Sequence, residues 1–223
     1  MKTIGIVTIG QSPREDVVAD IAPLLGGDVR ILERGALDGL TLEEARTLAP
    51  EKGMMPLCTR MRDGTEVVIA EEKVLSRMAD HIKDLNTQGT SLILLLCVGP
   101  FPEFESSCLV VHPQRVVTAW VESLIGKRHR LGVVVPIPEQ KEWAQGVFSH
   151  VTPLMTITDA SPYGDAGRLS RASLALREAE CDLIVMYCMG FNRKLVREIR
   201  EVTGRPVLVP SSLVARTAAE LLE

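Results

Sequence analysis

The stretch DLIVMYCMGFN, residues 182–192, is an apolar run that ends in a cysteine, followed by one more apolar residue and a glycine. The stretch SLILLLCVGPF, residues 91–101, has the same arrangement. A short run that is apolar throughout is typical of a strand buried on both faces, and such strands occur mostly in parallel sheets covered by helices. The two stretches therefore predict two equivalent strands, each with a cysteine at its carboxyl end.

Other apolar runs predict the remaining strands. They are TIGIVTI (residues 3–9), DVRILERG (28–35), LGVVVP (131–136), TPLMTIT (152–158) and PVLVP (206–210). Segments with apolar residues at helical spacing lie between most of them, for example residues 14–27 and 71–89, each of which ends at a glycine. Because strands and helices alternate, the sequence predicts an α/β fold with mostly parallel sheets in three-layer sandwiches.

The chain is predicted to form two similar lobes. Each half opens with a strand that contains a glycine and closes with a strand that ends in Cys-x-Gly. This pattern indicates two pseudo-symmetric Rossmann-like lobes with a cleft between them. We expect the first lobe at residues 1–110, with a hairpin insertion at 56–70 around an Asp-Gly turn, and the second at 111–205. The last strand and helix, residues 206–223, could belong to either lobe.

Composition disfavours several classes of protein. The 223 residues carry a formal net charge of −4, the basic residues form no stripe, and aromatic residues are few, which argues against nucleic-acid binding. The longest apolar runs are far shorter than the ~20 residues that span a bilayer, and the first residues do not resemble a signal peptide, so we expect a cytoplasmic protein. The five cysteines lack regular spacing and are expected to be free thiols. Neither a nucleotide-binding motif nor a metal-ligand spacing occurs, so no cofactor and no metal are predicted.

Cys97 and Cys188 are the candidate catalytic residues. Ligands of parallel sheets bind outside the carboxyl ends of the strands, where the amides of a following helix lower the pKa of a thiol. A glycine two residues later would let a ligand approach the backbone. The alternative is that both cysteines are small core residues, which is the expectation for Cys58, Cys108 and Cys181.

The loops after the strands supply the candidate substrate contacts. Arg14 could hold a carboxylate bidentately, while Ser12 and Pro13 suggest a capped helix start, and Ser211 caps the last helix or faces the cleft. The full predicted set of substrate contacts is Gly10, Gln11, Ser12, Arg14, Val98, Gly99, Pro136, Glu139, Gln140, Met189, Gly190 and Ser211.

Six phrases of the sequence together resemble the AroM family. They are VTIGQSPREDV, ERGALDGLT, LCTRMRDGTEV, LLLCVGPFP, VVVPIPEQ and YCMGFN, and the resemblance extends along nearly the whole chain. AroM proteins are similar in turn to the aspartate/glutamate/hydantoin racemase superfamily, which implies two α/β lobes and one cysteine from each.

The resemblance also implies a chemistry. One thiolate would remove the proton alpha to a carboxylate, the other thiol would return it on the opposite face, and amides near Gly10, Gly99 and Gly190 would hold the carboxylate. Superfamily members with a single cysteine catalyse decarboxylation or cis–trans isomerisation, and many members form dimers. Racemases usually carry polar residues beside their cysteines, whereas this chain has Val98 and Met189 there.

Three functions follow as hypotheses. The first is a cofactor-independent racemase or epimerase of an amino acid or related small carboxylic acid. The second is an isomerase or lyase that depends mainly on Cys188, and the third is a non-catalytic protein that binds a small carboxylate. In each case the expected partner is a small carboxylate or amino acid, and the expected assembly is a homodimer.

Overall fold

The computed structural model describes residues 2–222, so residue 1 of the predicted first lobe and residue 223 of the predicted terminal segment lie outside it. Within this range strands and helices alternate along most of the chain. In chain order the elements are β1 (Lys2–Thr8), α1 (Glu15–Ile21), β2 (Val29–Gly35), α2 (Leu42–Thr47), β3 (Pro56–Arg60), β4 (Glu66–Ala70), α3 (Leu75–Thr87), β5 (Leu92–Leu95), β6 (Leu109–Val111), α4 (Pro113–Leu124), β7 (Leu131–Val135), α5 (Lys141–Phe148), β8 (Met155–Asp159), α6 (Ala166–Glu178), β9 (Leu183–Met186), α7 (Arg193–Thr203), β10 (Val207–Leu208) and α8 (Pro210–Leu222). The predicted α/β class is confirmed.

The first of two compact units comprises the chain up to Gln114 together with the residues from Val214 onward. Its sheet has the strand order β2-β1-β5-β6, and all neighbouring strands are parallel. Strands β3 and β4 form a separate antiparallel hairpin. The turn of this hairpin contains Gly64 with a φ of +97°, a left-handed conformation that favours glycine.

The second unit runs from Arg115 to Leu213. Its four-stranded sheet has the order β10-β9-β7-β8 and is again parallel throughout. Every residue of β7 and β9 is buried, as expected for strands covered by helices on both faces.

Each sheet is built on the same plan. Read from its other edge, the second sheet is β8-β7-β9-β10, so β7 corresponds to β1 and β9 to β5. A glycine in each opening strand marks the correspondence. A Cβ at Gly5 would lie 2.8 Å from Leu85 of α3, and a Cβ at Gly132 would lie 2.7 Å from Leu176 of α6. In both units the opening strand therefore needs glycine for a helix to pack closely on it.

Several local predictions were wrong. The helix expected from residue 14 begins at Glu15 without a side-chain cap, and a 3-10 turn replaces its end at Ala22–Leu24, where Pro23 cannot donate a hydrogen bond. Ser12 does not cap this helix, and the Ser12–Pro13 peptide bond is cis. Strand β6 and helices α2 and α4 were not predicted.

Candidate functional site

Cys188 lies two residues beyond the end of β9. The Tyr187 amide extends the sheet by donating to the carbonyl of Val134 over 2.8 Å, and the Cys188 amide then turns back to the carbonyl of Met186. The Cys188 sulfur accepts a hydrogen bond from the Gly190 amide, with a nitrogen–sulfur distance of 3.4 Å. The side chain is 8% exposed and belongs to the second unit's hydrophobic core.

Cys97 has the same backbone setting in the first unit. It follows β5 by two residues, and the Leu96 amide extends the sheet by donating to the carbonyl of Val7 over 2.7 Å. The Gly99 amide donates to the Cys97 sulfur, again over 3.4 Å. The thiol of Cys97 is half-buried, whereas Cys188 is buried.

Neither cysteine lies at the start of a helix, so that part of the prediction was wrong. After Cys97 the chain runs through a loop and strand β6 before α4 begins at Pro113. After Cys188, helix α7 begins at Arg193, and the side chain of Asn192 accepts hydrogen bonds from its first amides. The donor to each sulfur is instead the amide two residues further along the chain.

Tyr163, which no sequence motif indicates, lies against the loop that carries Cys188. A Cβ at position 190 would collide with the phenol oxygen of Tyr163 and would lie 2.9 Å from Pro162. The half-buried Tyr163 belongs to the loop after β8, where its amide donates to the hydroxyl of Ser161 over 3.1 Å. Gly190 is thus required by this close approach, and the loop after β8 brings a phenol hydroxyl to the Cys-x-Gly segment.

In the first unit, the loop after β1 is held by the hairpin. A Cβ at Gly10 would collide with the hydroxyl of Thr59 on β3 and would lie 2.6 Å from the carbonyl oxygen of Arg60. The Gln11 amide nitrogen donates to the carbonyls of Leu37 and Leu40, and its oxygen accepts from the amide of Arg62. Gln11 therefore links the loop after β1 by hydrogen bonds to the backbone of the loop after β2 and to the backbone of the hairpin.

Ser12 binds a carboxylate of its own unit. Its amide donates to Asp38 over 2.7 Å and its hydroxyl donates to the other oxygen of the same side chain over 2.6 Å. The guanidinium of Arg62 donates to the Ser12 carbonyl. The helix cap predicted at Ser12 is replaced by this link to the loop after β2, because Asp38 offers two charged acceptors at once.

The side chain of Arg14 also forms hydrogen bonds within its own unit. Its guanidinium, 3% exposed, forms a bidentate pair with Asp16 at 3.0 and 2.9 Å, and donates to the hydroxyl of Thr8. Burial works to raise the pKa of Asp16, but the hydrogen bond and charge of Arg14, with Arg60, outweigh it and hold that pKa below its ordinary value. Burial raises the pKa of Glu33, which accepts from the Arg14 amide.

The other predicted contacts differ in exposure. Val98, Met189, Pro136, Gln140 and Ser211 are buried, and Glu139 is exposed in the turn before α5. Ser211 lies inside the first turn of α8, which begins at Pro210. The structure thus brings together Cys97 with Gly99, and Cys188 with Gly190, each within its own unit. Tyr163 lies against Gly190.

Among residues 2–222, His, Cys, Asp and Glu side chains form no group of three or more that could hold a metal ion. Over the same residues, no helix is both long enough and apolar enough to cross a membrane.

Comparison with known proteins identifies both family and fold. The family model described as AroM protein matches residues 4–222. No curated protein matches the chain in sequence. Glutamate racemase from Aquifex pyrophilus is similar in structure with a TM-score of 0.62 at 14% identity, over 99% of this chain and 84% of that chain. Allantoin racemase from Pseudomonas fluorescens is similar in structure with a TM-score of 0.57 at 15% identity, over 99% of this chain and 90% of that chain.

A third similar structure is a maleate cis–trans isomerase from Nocardia farcinica, a cysteine-to-serine variant with a covalently bound succinylcysteine intermediate. Its TM-score is 0.59 at 13% identity, over 99% of this chain and 92% of that chain. At these identities the likeness establishes a shared fold, which is the fold of racemases and related isomerases.

Proposed function

Because the chain belongs to the AroM family, we propose that it is a cofactor-independent, cysteine-based racemase or epimerase of an amino acid or related small carboxylic acid. The observation that carries the proposal is the repeated Cys-x-Gly geometry. In each unit an amide donates to the sulfur over 3.4 Å at the end of the corresponding strand. Two such thiols, at equivalent places in a duplicated fold, supply one proton acceptor and one proton donor.

The proposed reaction needs two protein thiols in opposite protonation states. The thiolate sulfur takes the proton from the α-carbon, and the electron pair of the broken C–H bond moves towards the carboxylate. The second thiol then gives its proton to the opposite face of that carbon. An N–H that donates to sulfur favours the thiolate, and backbone amides near Gly10, Gly99 and Gly190 would stabilise the negative charge that develops on the substrate.

The environment of the substrate is part of the proposal. Val98 and Met189, 5% and 2% exposed, make the surroundings of the two thiols apolar. An apolar environment strengthens the electrostatic contribution of each amide to the enediolate. Because Gln11, Ser12 and Arg14 are engaged with groups of their own unit, we assign them to shaping the loop after β1.

A solvent-exchange experiment tests the proposal. The protein is incubated in D2O with each of the common amino acids and a panel of small carboxylic acids, and deuterium at the α-carbon is measured by NMR. We expect exchange for one substrate class, with Cys97→Ala and Cys188→Ala each slowing racemisation by at least a hundredfold. Cys108→Ala, which removes another half-buried thiol, is the control and should retain the wild-type rate. Exchange that is unaffected by both active-site variants would show the proposal to be wrong.

The difference in burial between the two thiols supports a second candidate function. Cys188 is buried, and the Tyr163 loop contacts the neighbouring Gly190, whereas Cys97 is half-buried. A single-cysteine isomerase or lyase would use Cys188 alone, and the similar maleate isomerase is described with an intermediate on a cysteine. Cys97→Ser would then keep most of the activity, Cys188→Ser would lose it, and mass spectrometry would detect a substrate adduct on Cys188. Ligand binding without exchange or turnover would instead indicate a small-carboxylate-binding protein.

Cellular context completes the proposal. All five cysteines are free thiols, which is compatible with the reducing cytoplasm. We further propose that the protein acts as a homodimer, which analytical ultracentrifugation would test.

A further inference from the structure

A cavity of about 370 Å³ lies in the second unit, on the edge strand β8 and against helices α5 and α6. Its apolar wall is formed by Ile157 and Ala172. The polar wall consists of Thr158, Asp159, Lys141, Arg168 and Arg171. None of these residues belongs to the proposed catalytic site. The volume falls at the lower end of the range of small-molecule pockets.

The cavity has an excess of positive charge. Asp159 is its one carboxylate, and it is shared by two cations: Lys141 at 2.5 Å and Arg168 at 3.8 Å. The side chain of Arg171 forms no hydrogen bond or ion pair with any other residue of the described chain. Among the lining residues, three cations and one carboxylate leave an excess of two positive charges, in a protein whose formal net charge is −4. Outside the lining, the carboxylate of Asp165 lies near the guanidinium of Arg171, since both are within 3.5 Å of the Cβ position at Gly167.

The two arginines of the cavity also lie close to each other. Arg168 and Arg171 are three residues apart on α6, so they lie on the same side of the helix, where like charges repel each other. A bound anion would remove that repulsion. The guanidinium group presents its donors in a planar fork that matches the oxygens of a phosphate.

From this arrangement we infer that the cavity binds a small phosphate monoester. The dianionic phosphate group balances the excess of positive charge in the lining and contacts Arg168, Arg171 and Lys141. The organic part of the ligand packs on Ile157 and Ala172. The site lies at the base of the loop that carries Tyr163, because Asp159 is the last residue of β8. Its binding energy does not depend on either cysteine.

Calorimetric titration of the full chain with glycerol 3-phosphate tests this inference. Glycerol and sodium chloride at matched ionic strength control for the organic part and for screening, and succinate tests for a general dianion. We expect glycerol 3-phosphate to bind and the other three to bind at least tenfold more weakly. If succinate binds equally well, or if the phosphate has no more effect than salt, the assignment of a phosphate monoester is overturned.

Arg171→Gln locates the site. This substitution removes an exposed side chain that makes no ion pair, so the fold is expected to persist, which circular dichroism checks. It should weaken glycerol 3-phosphate binding at least tenfold. Arg177→Gln, on the same helix but outside the cavity, should leave the affinity within twofold of wild type. Equal affinities for the two variants would place the ligand elsewhere and contradict the inference. The same titration on Cys188→Ala should give the wild-type affinity, which separates this site from the proposed catalytic chemistry.

Discussion

The backbone amide of Gly190 donates a hydrogen bond to the sulfur of Cys188 over 3.4 Å. The same contact, with the same length, joins Gly99 to Cys97 in the other unit. Two thiols that are 91 positions apart in the sequence thus share one local geometry, because each follows the corresponding strand of a duplicated sheet. This equivalence is the structural basis for treating them as a pair.

Gly190→Ala should destabilise the loop that carries Cys188. The added methyl group would collide with the phenol of Tyr163 and with Pro162, and overpacking of this kind costs about 1–3 kcal/mol. Urea denaturation measures the change in the free energy of unfolding. The matched control is Gly146→Ala in α5, where a Cβ meets no atom within 4 Å, and where alanine should instead stabilise the helix by about 0.5–1 kcal/mol. Equal effects at the two positions would show that Tyr163 does not restrict Gly190.

Tyr163→Phe should change how Cys188 discriminates between alkylating agents. Iodoacetate and iodoacetamide have similar size, but only iodoacetate carries a carboxylate. If the Tyr163 hydroxyl helps to bind a substrate carboxylate beside Cys188, its loss should slow alkylation by iodoacetate about tenfold, the scale of one hydrogen bond to a charged group. The iodoacetamide rate should stay within about twofold. Peptide mass spectrometry measures both rates, with Cys97 in the same sample as the internal reference. A fall in both rates together would indicate that the tyrosine only supports the loop.

Duplication of the fold could be predicted from sequence because its signal is strong and local. Four buried strands, β1, β5, β7 and β9, are nearly continuous apolar runs, and this pattern requires no knowledge of distant residues. Strand β6 has only three residues and includes the exposed Leu109. Such a strand is defined by its pairing with β5, which the sequence does not reveal.

The candidate site was predictable only in part. Both cysteines were identified from their repeated context, but Tyr163 was not, because its position depends on how the loop after β8 packs on a segment 27 residues further along the chain. The signal for a helix cap at Ser12 was misleading for the same reason. Ser-Pro resembles a helix cap locally, but Asp38, 26 residues away, supplies stronger acceptors to Ser12 than the helix does.

Asp16→Asn should destabilise the first unit by about 3 kcal/mol, because it leaves the buried guanidinium of Arg14 without its bidentate carboxylate. Urea denaturation at pH 7 measures this, and Glu15→Gln in the same helical turn is the exposed control. The pKa of Asp16 lies below its ordinary value of 3.8. Its stabilising contribution is therefore present above pH 3.8 and is lost as the pH falls through the lower folded-state pKa. The difference between wild type and variant should shrink in that acid range, and a constant difference would contradict the ion pair.

The pKa of Glu71 predicts a second dependence of stability on pH, opposite in sign to that of Asp16. Its side chain is 8% exposed directly after β4, and burial, with a smaller effect of Glu72, raises its pKa from 4.5 to about 7. Between these two values the folded protein binds more protons at this site than the unfolded chain does. The contribution of Glu71 to the free energy of unfolding should therefore be largest below pH 4.5 and should fall as the pH rises to about 7.

Ionisation of this carboxyl should lower the free energy of unfolding by on the order of 3 kcal/mol, since one pKa unit corresponds to about 1.4 kcal/mol. Glu71→Gln keeps the shape of the side chain but does not ionise, so the variant should be more stable than wild type at pH 7 and similar to it near pH 4.5. Chemical denaturation across this range measures both proteins, with Glu66→Gln, an exposed position on the same hairpin strand, as the control. If the difference between wild type and Glu71→Gln does not grow with pH, Glu71 is not the buried carboxyl that the structure describes.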